Sequence, residues 1–379
     1  MWDIVQVTAE SISTVFLTLV KSLLAPLLLG LLVTSLGKSR QDAATGRIGV
    51  RAIIYFEVVT TVALLVGWAA MEIFQPGAML PMTGAARSTT GGPSLAETLV
   101  QAVPTSGIEA MAKNAVLPMM IFFGLIGWAA RARGTAALPL LEFCESLLAV
   151  TMEYARYVMK LAPLGMIAAV VATLMGGGWK SVNSLSLFVM AAVSAQLFMG
   201  IVVYGAVLFL FRIPVLSFAR CTREALGIAL ATTASAAALP KAIEGMERFG
   251  VRRELLGLVM PLGLSFNLAG SSIQLIMGVL FAAQAARIHL SLPQMLLVLL
   301  TLKIAVKGVA GIPRANFVIL SATLPSFQLS LDTLPLLLAV DGIIDMVRTP
   351  VNVLGNCLAP AVIARWEGES GLGEQPREL

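Results

Sequence analysis

The sequence predicts an all-α membrane protein with about seven spanning helices and two re-entrant hairpins. Three observations support this prediction. The chain is 58% hydrophobic and only 12% charged, whereas a soluble domain carries about 25% charged residues. Apolar runs are long enough to cross a bilayer core of about 30 Å. Loops rich in Lys and Arg alternate with loops that are poor in both, which is the usual record of orientation in a membrane.

Four apolar runs mark spanning helices most clearly, because each is longer than the ~20 residues that a crossing helix needs. These runs are Ser11–Leu36, Arg51–Ile73, Leu185–Phe211 and Leu255–Ala286. The chain begins Met1-Trp2-Asp3, without the basic segment and small-residue cleavage site of a secretory signal. We therefore expect the first run to be a genuine span.

The connecting segments fall into two classes by their positive charge. The rich segments, expected on the cytoplasmic side, are Lys38–Arg51, Arg131–Arg133, Arg212–Arg223, Lys241–Arg253 and the tail after Arg365. The poor segments, expected outside, are Pro76–Pro93, Gly176–Asn183, Ala286–Gln294 and Gln328–Thr333. This order places the N-terminus outside and the C-terminus inside. The net charge of +5 is spread between apolar runs and forms no aromatic-basic patch, so no nucleic-acid partner is expected.

Two stretches leave one class of loop and return to the same class. The first lies between rich loops and turns at Thr232–Pro240, and the second lies between poor loops and turns at Lys307–Pro313. Irregular backbone at membrane depth is tolerated only beside protein or a water-filled cavity, so paired interrupted hairpins indicate a binding site near the midplane. The alternative is two ordinary helical hairpins kinked at Pro240 and Pro313.

Few residues are suited to enzyme chemistry. The three cysteines, Cys144, Cys221 and Cys357, are far apart in apolar surroundings, which is typical of packing thiols rather than disulfides or metal ligands. His289 is the only histidine. A zinc-binding helix with two histidine ligands is therefore excluded, and a His-based catalytic triad would have no second histidine to draw on. A hydrolase would have to pair a serine with Lys307 and lacks a positioned base. We expect no enzyme activity and no cofactor.

Three motifs resemble the dicarboxylate/amino acid:cation symporter family, the glutamate transporter homologues. They are Ala310-Gly311-Ile312-Pro313, the stretch Pro261–Ser271 and the stretch Asp341–Val353. Ser11–Leu17, Gly46–Val50 and Tyr55–Thr61 are similar to the family's second and third helices. The resemblance runs from about Ser11 to Trp366, and the family's first helix has no counterpart in it.

The resemblance implies the glutamate-transporter fold, with two opposed re-entrant hairpins, in a multi-pass homotrimer of the inner cell membrane. It also implies an elevator mechanism, in which a scaffold of residues 11–50 and 95–212 holds a moving transport domain of residues 51–75 and 213–366. Residues 367–379 would form a cytoplasmic tail.

The resemblance further implies a substrate site. The matching positions are Arg348, Asp345, Thr349, Asn352, Ser235, Ser271, Ala310 and Gly311. Arg348 and Asp345 share one helix face; a guanidinium suits a carboxylate, and Asp345 would complement an ammonium. The expected substrate is therefore a small acidic solute, aspartate or glutamate. The alternatives are a structural Asp–Arg pair, a helix-cap role for Ser235, a C4-dicarboxylate substrate and an anion channel.

Transport is expected to depend weakly on sodium or not at all, with a proton favoured as the coupling ion; the alternative is that backbone carbonyls suffice for a sodium site. The family's sodium ligands match Gly263, Ser265, Asn267, Asn352, Thr60 and Thr61, but Ala269 and Asn356 stand where the family has Asp, and Val306 and Val309 replace two hydroxyl residues. Glu57 and Asp341 are the candidate proton carriers. The alternative for Glu57 is pairing with a neighbouring donor, and Lys307 is expected to snorkel to water.

Overall fold

A computed structural model of the chain describes residues 2–37, 43–80, 103–309, 315–369 and 371–373. Over these residues the secondary structure is helical, with short 3₁₀ and π-helical turns and no strand. The helices are α1 Trp2–Ser22, α2 Leu24–Gly37, α3 Ala43–Phe74, α4 Gly107–Ala112, α5 Val116–Arg133, α6 Leu138–Lys160, α7 Ala162–Phe198, α8 Tyr204–Leu210, α9 Val215–Thr232, α10 Ser235–Arg248, α11 Arg253–Phe266, α12 Ala269–Ala285, α13 Leu292–Ala305, α14 Ala315–Ser326 and α15 Thr333–Trp366. The predicted all-α class is confirmed.

Several helical stretches can cross a membrane by their length and composition. In the described part of the chain there are five: Ile4–Thr34, Arg47–Met79, Pro118–Lys160, Gly178–Leu210 and Arg253–Ala285. Helix α15 is long enough but is not among them, because polar side chains interrupt it. The predicted total of about seven crossings stays a prediction.

The chain divides into two compact units. The first contains residues 1–40, 71–189 and 275–341, and the second contains residues 41–70, 190–274 and 342–379. This division follows from packing, and the predicted separation into scaffold and transport domain stays a prediction.

Close helix packing in the first unit depends on small residues. Helix α2 packs against α5 and α6. A Cβ at Gly30 would lie 2.8 Å from Cβ of Leu148, and one at Gly127 would lie 3.0 Å from the carbonyl oxygen of Leu32. Such glycines let helix backbones approach closely inside a membrane.

The second predicted hairpin also belongs to the first unit. Helices α13 and α14 pack against each other, but the turn at residues 310–314 lies outside the described residues. Two predicted substrate positions, Ala310 and Gly311, therefore lie outside them as well.

Three of the segments poor in positive charge meet within the first unit. The Ser184 hydroxyl donates to the carbonyl oxygen of Pro76 at 2.7 Å. The amide of Gly77 donates to Gln284 Oε1 at 3.1 Å, and Arg287 donates to the carbonyl oxygen of Ala78 at 2.9 Å. This clustering agrees with the predicted location of all three segments on one side of the membrane.

The first predicted hairpin, formed by α9 and α10, lies in the second unit. Its turn contains Thr233 in the left-handed conformation, with φ of 51°. The two helices are packed so closely at Gly245 that a Cβ there would collide with the carbonyl oxygen of Cys221. The hairpin is present, and its re-entrant path through the membrane stays a prediction.

Segments rich in positive charge meet at one end of the second unit. Their contacts are Arg47 with Glu367 at 2.5 Å, Arg51 with Glu367 at 2.6 Å, Arg252 with Glu369 at 2.5 Å and Arg365 with the carbonyl oxygen of Arg212 at 3.2 Å. The start of α3 and the end of α15 are thus joined, as expected if these segments share the cytoplasmic side.

We expect Glu367→Ala to destabilise the protein. The Glu367 side chain is only 8% exposed and pairs with both Arg47 and Arg51. Because hydrogen bonds to charged groups contribute about 1.5–3 kcal/mol each, the apparent melting temperature in detergent should fall by a few degrees. Glu153→Ala is the matched control, because Glu153 pairs only with the exposed Arg156 and is itself 40% exposed. Equal melting temperatures for the two variants would contradict this expectation.

Candidate functional site

The candidate site is built on one face of α15. Asp345, Arg348, Thr349 and Asn352 stand at positions i, i+3, i+4 and i+7 of this helix, so helical periodicity places them together. All four are buried, with exposures of 8%, 7%, 3% and 4%. Asp and Arg are almost never buried to this extent unless they are paired.

Asp345 and Arg348 form a buried ion pair. Arg348 Nη2 donates to Asp345 Oδ1 at 2.5 Å, and the Thr349 hydroxyl donates to the same oxygen at 2.9 Å. Arg348 Nη1 donates to Oε1 of Gln274 on α12. The two charges neutralise each other, and the hydrogen bonds to Thr349 and Gln274 further offset the cost of burying them.

A broken helix lies beside this pair. Helix α11 ends at Phe266 and α12 begins at Ala269. Near the break, both backbone groups of Gly270 are bound by side chains: its amide donates to Asn352 Oδ1 at 2.8 Å, and its carbonyl accepts from Gln196 Nε2 at 2.8 Å. Asn352 Nδ2 also donates to the Ser271 hydroxyl at 3.3 Å.

Gly270 leaves no room for a side chain. A Cβ at this position would lie 2.7 Å from the carbonyl oxygen of Arg348, 2.9 Å from Gln196 Oε1 and 3.1 Å from Arg348 Cγ. The close approach of α12 to α15 is therefore possible only because residue 270 is glycine.

Hydrogen bonds hold five of the predicted substrate residues in two groups. One group contains Arg348, Asp345 and Thr349, and the other contains Asn352 and Ser271. Ser235, on the first turn of α10, is half-buried, and no hydrogen bond of the described residues links its side chain to either group. The helix-cap alternative is wrong, because the N-cap of α10 is Ala234.

Sequence reasoning missed Gln196 and Gln274, which both bind the site directly. Each is an amide inside an apolar helix, which is the one signal that could have found them. Such a residue must find a hydrogen-bonding partner when it is buried.

Two of the predicted sodium positions, Gly263 and Asn267, lie beside other polar side chains of the second unit. Asn356 Oδ1 lies beside Gly263, where a Cβ would be 2.7 Å away. Among the described residues, Asn356 Oδ1 and both amide atoms of Asn267 have no hydrogen-bonding partner. Tyr204 is also one of these side chains, because its hydroxyl and Asn267 Nδ2 both face Gly355.

The remaining coupling candidates have different surroundings. Thr60 and Thr61 donate to the carbonyl oxygens of Phe56 and Glu57, in the preceding turn of their own helix. Ser265 is half-buried, and so is Glu57. Asp341, in the first unit, is fully buried. Ala269 and Asn356, which stand where the family has Asp, are both buried as well. The two substitutions therefore remove negative charge from the interior of the protein.

A buried, self-neutralising pair of charges beside a broken helix is suited to binding a charged solute within a membrane. The sequence matches the sodium:dicarboxylate symporter family over residues 2–366, and the chain belongs to that family. It is an integral membrane transporter and not an enzyme.

Three relatives illustrate the range of the family. The chain is 33% identical to the proton/sodium-glutamate symport protein of Geobacillus stearothermophilus, covering 95% of this chain and 88% of that protein. It is 35% identical to the proton/glutamate-aspartate symporter of Escherichia coli, covering 97% and 86%. It is 32% identical to a C4-dicarboxylate transport protein of Pseudomonas savastanoi, covering 96% and 81%.

We expect Gly270→Ala to abolish most transport while leaving an inserted protein. Overpacking typically costs about 1–3 kcal/mol, and here the strain falls on Arg348 and on the Gly270 backbone contacts. Uptake in proteoliposomes should fall at least about tenfold, since 1.4 kcal/mol is a factor of ten. Gly257→Ala is the control, because nothing lies within 4 Å of a Cβ there. Full activity of Gly270→Ala would show that the close approach is unimportant.

Proposed function

We propose that this chain is a secondary active symporter of acidic amino acids, aspartate or glutamate. The observation that carries the proposal is the buried Asp345–Arg348 pair, whose two members are bonded to each other at 2.5 Å. The names of the Geobacillus and Escherichia coli relatives, which refer to glutamate and aspartate symport, support the same substrate class.

The ion pair is suited to exchange partners with such a substrate. The side-chain carboxylate of the amino acid would take the place of Asp345 at the Arg348 guanidinium, and its ammonium would take the place of Arg348 at Asp345. Each buried charge then keeps an opposite partner, so opening the internal pair leaves no uncompensated charge. Thr349 and Asn352 supply further hydrogen bonds beside the pair, and Ser235, Ala310 and Gly311 stay predicted contacts of the substrate.

A C4-dicarboxylate is the second candidate substrate, favoured by the name of the Pseudomonas savastanoi relative. Such a substrate offers Arg348 a carboxylate but offers Asp345 no cation. Opening the pair would leave Asp345 facing a second negative charge, which is repulsive at low dielectric. The amino acid is therefore the better match to this site.

We further propose that protons drive uptake. The polar cluster of Asn267, Asn356 and Tyr204 presents neutral oxygens, and a buried monovalent cation without a nearby carboxylate must recover its hydration energy from dipoles alone. Glu57 is the proposed proton carrier of the second unit, and Asp341 that of the first. A homotrimer in the inner cell membrane that works by an elevator motion is the assembly that the family resemblance implies.

The substrate assignment is tested by competition in proteoliposomes. Aspartate and glutamate should inhibit the uptake of radiolabelled aspartate more strongly than succinate does, and uptake should saturate and show counterflow. Stronger inhibition by succinate would favour the dicarboxylate, and non-saturating flux would favour a channel.

Two variants separate the roles of the charged pair. Arg348→Ala should abolish the uptake of acidic substrates more than that of neutral ones, because it removes the cation that faces the side-chain carboxylate. Asp345→Asn should weaken aspartate binding and spare succinate, since only the amino acid needs the negative charge. An unchanged aspartate affinity in Asp345→Asn would contradict the ammonium assignment.

The coupling ion is tested on the purified protein. An imposed inward pH gradient should drive aspartate uptake, and sodium titrated at constant ionic strength should change aspartate affinity by less than about tenfold, the factor that corresponds to 1.4 kcal/mol. A larger sodium effect with no response to the pH gradient would show that neutral oxygens suffice for a sodium site.

A further inference from the structure

Gln274 has a buried side-chain amide and is not among the proposed substrate-binding residues. It lies on α12 one helical turn after Ser271, and it is only 5% exposed. Burying an amide is costly unless it is hydrogen-bonded. Gln274 meets this requirement at the charged site itself, because its Oε1 accepts a hydrogen bond from Arg348 Nη1.

The two terminal nitrogens of Arg348 form hydrogen bonds with residues of two different helices. Nη2 binds Asp345 on the same helix, at 2.5 Å, and Nη1 binds Gln274 on α12. A guanidinium is a rigid planar fork, so contacts at both nitrogens fix the plane in which it lies. Asp345 holds one of these nitrogens and Gln274 holds the other. Gln274 therefore helps to set the orientation of the cation.

The neutrality of Gln274 matters as much as its position. Arg348 forms an ion pair with Asp345, and this pair carries no net charge. A carboxylate at position 274 would give the site a net negative charge and would repel an acidic substrate. A neutral amide orients the guanidinium and leaves its charge available.

We propose that Gln274 is a positioning and specificity-determining residue. It holds the Arg348 guanidinium in place for a substrate carboxylate and, by being uncharged, preserves the preference for acidic over neutral substrates. This inference rests on the proposed function in one respect, namely that the ligand presents a carboxylate to Arg348.

Two substitutions test the inference in the full-length protein reconstituted in proteoliposomes. Gln274→Met keeps a similar volume but removes the acceptor. It should raise the KM for aspartate about tenfold, the loss typical of one hydrogen bond to a charged group, with the maximal rate changed much less. Gln274→Glu keeps the shape and adds a charge, and it should reduce the preference for aspartate over asparagine by at least the same factor.

The matched control is Gln284→Met. Gln284 is an amide on the same helix, but it binds the carbonyl oxygen of Met71 at 2.9 Å and the amide of Gly77 at 3.1 Å. Its substitution should leave the aspartate-to-asparagine preference unchanged.

The outcomes are distinct. A merely structural role for Gln274 predicts that both substitutions lower uptake of aspartate and asparagine in equal proportion, and that result would overturn the inference. If Gln274→Met yields no folded protein, the preference measured in the nearly isosteric Gln274→Glu variant decides alone. If wild-type protein carries succinate in place of aspartate, the amino acid proposal fails. The same variants are then read with succinate, where an unchanged KM overturns the role of Gln274 and an increase supports it.

Discussion

The burial of one arginine sets the constraint that the rest of the second unit must satisfy. Arg348 is only 7% exposed on α15, and an unpaired charge inside a membrane would cost several kcal/mol. Asp345 supplies the opposite charge and Gln274 supplies a neutral acceptor. Thr349 completes the arrangement by donating to the oxygen of Asp345 that Arg348 also uses. Burial of the pair is tolerated because Thr349 and Gln274 form hydrogen bonds with its two members.

The same requirement explains why a helix can break beside this pair. A break within a membrane leaves backbone N–H and C=O groups that water does not reach, and each needs a partner from the protein. Gln196 and Asn352 provide partners for both backbone groups of Gly270. Asn352 therefore links the break directly to α15, the helix that also carries Asp345 and Arg348.

The sequence could predict those parts of the site that follow from a single helix or from a motif. Asp345, Arg348, Thr349 and Asn352 share a face because helical periodicity requires it, and the motif resemblance added Ser271. Gln196 and Gln274 could not be placed, because each contacts residues 74 positions away. Such contacts depend on how helices pack, which periodicity along one helix does not determine.

The all-α class, the hairpin of α9 and α10 and the clustering of like-charged loops followed from composition and from charge alternation. The side-chain environment of Ser235 did not, because a turn residue's contacts depend on the elements packed around it. Likewise, the assignment of helices to a fixed scaffold or a moving domain concerns motion, and packing within one conformation carries no record of it.

Charge balance connects the substrate site to the coupling ion. Asp345 and Arg348 together carry no net charge, whereas aspartate, with two carboxylates and one ammonium, brings a charge of minus one into the buried site. Ala269 and Asn356 add no negative charge to attract a metal cation, so of the candidate coupling positions only the half-buried Glu57 and the fully buried Asp341 are acids. In the proposed mechanism, a single proton taken up by a carboxylate such as Glu57 would cancel the charge that the substrate brings. Under this proposal, the substitutions at the two former acid positions leave a requirement for one positive charge per acidic amino acid, which a proton would meet without a dedicated coordination shell.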